Sequence, residues 1–106
     1  MKPQNIYAGL PSSLNKEVFE TLASSPDVTI ERIVSFGQST PEGEWLKQER
    51  TEWVILLNGS AGILFDGNEE EILLKPGDYL CIPPHTRHRV TRTDADKPSV
   101  WLAVHY

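Results

Sequence analysis

At 106 residues the chain has the size of one domain, with no room for a second core. Apolar residues make up 39% and charged residues 24%, an ordinary globular composition far from the disordered range. The net charge of −5 argues against a nucleic-acid partner, which needs a basic face, and no apolar run is long enough to span a membrane.

The first 11 residues, with Pro3 and Pro11, read as an irregular arm. Ser12 or Ser13 can then cap a short helix over residues 13–23, because "LNKEVFETLA" places Leu14, Val18, Phe19 and Leu22 on one helical face. Pro26 and Asp27 stop it. The N-terminal stretch has no apolar core or small-residue cleavage site of the signal-peptide kind, so a cytoplasmic protein is expected. The single cysteine, Cys81, excludes an internal disulfide and suits a reducing compartment. Its place in an apolar strand pattern predicts a buried packing residue.

From residue 28 onward the chain reads as strands. "VTIERIVSF" is β-branched, and the polar loop "GQSTPEGE" follows it. "EWVILL" ends at Asn58-Gly59 and "AGILF" at Asp66-Gly67, both strong hairpin signals because they tolerate positive φ. "EEILL" ends at Pro76-Gly77, "DYLCI" at Pro83-Pro84 and "HRVTRT" at a turn over residues 94–98, and "VWLAVHY" is the last strand. Many short strands separated by turn chemistry predict an all-β antiparallel sandwich or barrel. The division is an arm and helix over residues 1–27 and a barrel over residues 28–106, all one domain.

The stretch from Glu52 to Val90 resembles the cupin family, small β-barrels of the jelly-roll type. The family's first motif ends in a glutamate, six residues and a glycine; here Glu52 is followed by "WVILLN" and Gly59. Its second motif runs from a glycine through five residues to a proline and on to a histidine. Here Gly77, "DYLCI", Pro83, "PHTR" and His88 fill it. The resemblance implies a jelly-roll barrel with Glu52 and His88 directed into one cavity. It also implies a small-molecule ligand and, in metal-binding members, a divalent ion such as iron, manganese, nickel or zinc. Those members carry two histidines shortly before the glutamate, at positions that here are Leu46 and Gln48, or Trp45 and Lys47. The ligand set so implied is Glu52 and His88, with Gln48 as a weaker oxygen donor. A Glu–His pair that only satisfies two polar groups inside the barrel is the alternative.

Strand alternation bears on the other candidates. Glu52, Val54 and Leu56 share one face, as do His88 and Val90. His85 stands three residues before His88, after a diproline, so it belongs to a turn and to the other face. His105 shares parity with Trp101 and Ala103; it points outward if Leu102 and Val104 line the cavity and inward if they do not. Trp45, in a loop at a barrel mouth, is the aromatic residue expected to touch a ligand, whereas Trp53 faces outward. His85 and His105 complete the candidate ligand contacts. The carboxylates of "EGEWLKQERTE" read as a solvated loop, and "RHRVTR" as a solvated strand face. "WVILL" and "WLAV" are apolar on both faces, so a homodimer is expected. Three functions remain open: a small-molecule-binding cupin whose cavity can hold a divalent metal, with oxygenase, isomerase or epimerase activity open to it and with Glu52 as ligand or base and His88 as ligand or proton donor; a metal-free binding or sensing module; and a structural or interaction protein.

Overall fold

The computed structural model describes residues 1–12 and 15–106. Eight strands follow one another: β1 (Val18–Ser24), β2 (Thr29–Ser35), β3 (Glu52–Asn58), β4 (Ala61–Phe65), β5 (Ile72–Leu74), β6 (Tyr79–Ile82), β7 (His88–Thr93) and β8 (Ser99–His105). They form a five-stranded sheet in the order β1-β2-β8-β3-β6 and a three-stranded sheet in the order β5-β4-β7. Every pairing is antiparallel. The core lies between the sheets and gathers Ile33, Val54, Leu56, Ala61, Ile63, Leu74, Ile82, Trp101 and Ala103. The expected all-β barrel architecture is present.

The expected helix is absent among the described residues; Ser13 and Leu14, at its start, lie outside them. Residues 18–24 instead form edge strand β1, paired with β2 from Val18↔Val34 to Ser24↔Thr29. The apolar spacing fits a helical face, but so short a helix is marginal without a surface to pack on. Val18, Phe19 and Thr21 also favour a strand, and the open edge of β2 supplies the ladder partners. Glu20 locks the pair by accepting from Arg32 Nη2 at 2.6 Å. That arginine also donates to the carbonyls of Ile6 and Ala8, tying the N-terminal arm to the outer face of β2.

The β3–β4 hairpin turns at Asn58-Gly59, where Gly59 has φ +86°. A Cβ there would lie 2.4 Å from Ser99 Oγ and 2.8 Å from the Pro98 carbonyl oxygen. Only glycine permits both that conformation and that approach. On β6, Leu80 and Ile82 turn inward while Tyr79 and Cys81 face out. Cys81 is therefore exposed, contrary to the expectation of a buried residue. The strand is apolar at both parities, and as the edge of its sheet it lacks a neighbour on one side.

Candidate functional site

One cavity of about 340 Å³ opens between the sheets. Val54, Ile63, Ile82, Val90 and Trp101 form its apolar walls, and Glu52, His88 and Gln48 its polar head. The alternation of β3 turns Glu52 inward with Val54 and Leu56, and all three are buried. His88, buried at the start of β7, meets Leu46 in an isolated bridge. Leu46 N–H donates to the His88 carbonyl at 2.7 Å, and His88 N–H returns the bond at 3.0 Å. That bridge draws the loop before β3 across the head of the barrel and carries Gln48 to the carboxylate.

His88 Nδ1 lies 2.9 Å from the Thr86 carbonyl, which can only accept, so Nδ1 carries a proton. Nε2 stands 3.7 Å from Glu52 Oε1. At that separation the two groups interact as charges and dipoles rather than through a hydrogen bond. Gln48 Nε2 donates to the same carboxylate oxygen at 3.2 Å. Burial holds the Glu52 carboxyl above its ordinary range, and the charge of Glu31 pushes the same way. The His105 and His88 imidazoles and the Gln48 amide oppose that rise.

His105 resolves the parity left open by the sequence. Trp101 and Ala103 are buried, so His105 takes the inward parity at the end of β8, in register with both Glu52 and Thr29. It does not line the cavity itself; its Nε2 lies 2.9 Å from Glu31 Oε1, and Glu31 does. His85 is exposed and outside the cavity lining, with φ +62° in the turn after the diproline. Its backbone N–H donates to the Gln48 carbonyl at 2.7 Å, so it fixes the loop that carries Gln48. Trp45 lines the cavity, with the Arg87 guanidinium 5.6 Å from its ring centroid. Trp53 lies on the outer face, its ring centroid 5.3 Å from that of Tyr79.

Two further residues belong to the site. Glu17 lines the cavity, and its Oε2 accepts from Ser35 Oγ at 2.5 Å; Ser35 in turn accepts from Trp101 Nε1 at 3.3 Å. Ser35 is fully buried, so this relay anchors the carboxylate of Glu17 on the core. The signal available in the sequence was the alternation Glu31, Ile33, Ser35 in "TIERIVS", which runs down one face of β2. Of the loop carboxylates read as solvated, Glu44 is exposed yet lines the cavity mouth.

The sequence profile of the cupin domain matches residues 32–105. The chain belongs to the cupin family. It is similar to a mannose-6-phosphate isomerase candidate from Ralstonia eutropha JMP134, at 43% identity over 99% of this chain and 97% of that one, with a TM-score of 0.95. A cupin superfamily protein from Desulfitobacterium hafniense DCB-2 shares the fold at 23% identity and TM-score 0.72, over 91% of this chain and 82% of that one. So does an RmlC-like cupin from Methanocaldococcus jannaschii, at 18% identity and TM-score 0.71, over 90% and 84%. The comparison with curated proteins found no match.

The donor set does not fit a resident divalent metal. Among the described residues, no group of three or more His, Cys, Asp or Glu side chains is placed to hold one. Glu52 and His88 are two donors, and the positions that carry histidines in metal-binding members hold Leu46 and Gln48, or Trp45 and Lys47. Gln48 offers at most a neutral amide oxygen, and its amide is already bonded to Glu52. A catalytic metal ordinarily has three protein ligands.

Proposed function

We propose that this cupin binds a small molecule in its barrel through its own side chains, without a resident metal. The supporting observation is an apolar cavity headed by a buried carboxyl and a buried imidazole nitrogen 3.7 Å apart. A volume of about 340 Å³ lies at the small end of ligand pockets and suits a molecule of metabolite size. Divalent metals are common among cupins, so metal analysis is the first test. Protein purified without chelator and without a nickel column is expected to hold far less than one equivalent of any transition metal. One equivalent of metal that His88→Ala removes would overturn the reading.

Turnover is a second reading, and the pairing of a buried carboxyl with an imidazole at the head favours it. Glu52, held toward its protonated form by burial, can deliver a proton, and His88 Nε2 can accept one. Such a pair suits an isomerisation that moves a proton from one substrate atom to another. The Ralstonia relative is named for an isomerase activity on a sugar phosphate, which is why sugar phosphates belong in a substrate screen. Loss of turnover in both Glu52→Gln and His88→Ala would support it, and retained turnover in either would refute it.

We also propose a cytoplasmic homodimer. No helix among the described residues is long and apolar enough to cross a membrane. Exposed Leu22 on edge strand β1, with exposed Tyr79 beside Trp53, leaves apolar surface for a second copy to cover. Sedimentation at micromolar concentration is expected to give twice the 11.9 kDa chain mass, and a clean monomer would refute the dimer.

A further inference from the structure

We infer that the cavity selects a small organic cation, an amine or quaternary ammonium, over any carboxylated or phosphorylated molecule. This inference rests on the small-molecule reading and adds the charge of the ligand, so the sugar phosphates of the substrate screen are expected to fail. Four carboxylates line the cavity, those of Glu17, Glu31, Glu44 and Glu52, and none of the described lining residues is lysine or arginine.

Three guanidinium groups stand near the cavity without lining it. Arg32 points to the opposite face of β2, where Glu20 and two arm carbonyls hold it. Arg87 lies outside the lining, paired with Asp66 at 3.3 Å. Arg89 donates to the Thr40 carbonyl at 3.0 Å. An anion entering the cavity would meet four carboxylates and, among the described lining residues, no guanidinium or ammonium group.

The acidic groups are built in rather than merely gathered at a surface. Glu17 is anchored through Ser35 to the buried indole of Trp101, both of them neutral donors that leave its charge uncompensated. The Glu52 side chain is 10% exposed, and both of its polar contacts fall on Oε1. Its Oε2 makes no hydrogen bond among the described residues, which leaves an acceptor at the head of an apolar cavity. Phe19 and Trp101 supply aromatic surface, which attracts organic cations through the ring quadrupole, and Trp45 already faces one cation, the Arg87 guanidinium 5.6 Å from its ring centroid.

A pH dependence follows from the same geometry. The groups facing Glu52 are His88, His105, Glu31 and Gln48. Burial disfavours its ionised form, so a bound cation draws the proton off, and binding tightens as pH rises.

The test uses three series of equal shape, on benzyl and neopentyl frames, ending in an ammonium, a hydroxyl or a carboxylate group. Binding to the full chain is followed by calorimetry and by the indole N–H resonances of Trp45 and Trp101. The ammonium compounds are expected to bind at least about tenfold tighter than the alcohols, with the carboxylates weakest, since one charge pair at partial burial is worth that factor or more. Glu17→Gln, which keeps an oxygen acceptor for Ser35, and the exposed Glu44→Gln should each narrow the ammonium-to-alcohol ratio. Equal affinity of alcohols and ammonium compounds would overturn the inference while leaving the small-molecule reading intact. Tighter binding of the carboxylates, or of inorganic phosphate, would overturn it as well. No saturable shift at either indole in any series would remove the small-molecule reading and this inference together.

Discussion

Replacing Ser35 with alanine tests how firmly the cavity wall is built into the core. Ser35 is fully buried and carries two hydrogen bonds: it donates to Glu17 at 2.5 Å and accepts from Trp101 Nε1 at 3.3 Å. Ser35→Ala strands the indole N–H of a residue that is only 3% exposed, a loss of about 1–3 kcal/mol. It also removes a bond to a carboxylate, ordinarily worth about 1.5–3 kcal/mol. Glu17 is only half-buried and can recover part of that from water. The net expectation is about 2–4 kcal/mol, or a fall in Tm of roughly 10–20 °C for a domain of this size. Thermal unfolding followed by circular dichroism measures it. A double-mutant cycle with Glu17→Ala should return a coupling of about 1 kcal/mol, because the two residues share one bond. A Tm within 3 °C of the parent, or no coupling, would show that the relay does not hold the wall.

Three further expectations follow. Gly59→Ala should cost about 3 kcal/mol or more in chemical denaturation, since it combines a positive φ with a collision against Ser99. Gly67→Ala, also at positive φ but facing open space, should cost about 1 kcal/mol, and equal costs would refute the role of the collision. The folded-state pKa of Glu52 is raised by burial, so the stability tied to its neutral form is present at low pH and is lost as pH climbs through that value. Glu52→Gln should therefore gain Tm relative to the parent at pH 8 compared with pH 5, and a constant difference would argue against the desolvated carboxyl. His88→Ala should destabilise by about 1–3 kcal/mol, removing a buried partner of Glu52, while exposed His85→Ala should stay within about 0.5 kcal/mol; equal effects in denaturant titration would contradict the different placement of the two histidines.

Much of the fold is legible in turn chemistry and alternation. Asn58-Gly59 marks its hairpin because the backbone there has positive φ, and "HRVTRT" coincides with β7. Edge strand β1 is not legible in the same way. Its apolar spacing suits a helix, and what decides otherwise is the free edge of β2, which is distant in sequence. Cys81 fails for a related reason: a strand apolar at both parities does not announce its inner face. In the site, Glu52, His88 and Gln48 follow from spacing and resemblance, and the structure brings them to one cavity head. Glu17 and Ser35 do not, because their relay joins the residue before β1 to β2 and β8, and only the strand order makes them neighbours. The parity of His105 depends on which face of β8 packs inward, which buried Trp101 and Ala103 decide.

The most direct test of a metal-independent binding cavity uses the three tryptophans as built-in reporters. Trp45 and Trp101 line the cavity, and Trp53 stands on the outer face as an internal control. In a nitrogen-15 spectrum of protein kept in EDTA, titration with small-molecule fragments should shift the indole N–H resonances of Trp45 and Trp101 saturably and leave that of Trp53 in place. Shifts that vanish in EDTA and return on adding manganese or zinc, or fragments that move Trp53 alone, would contradict it.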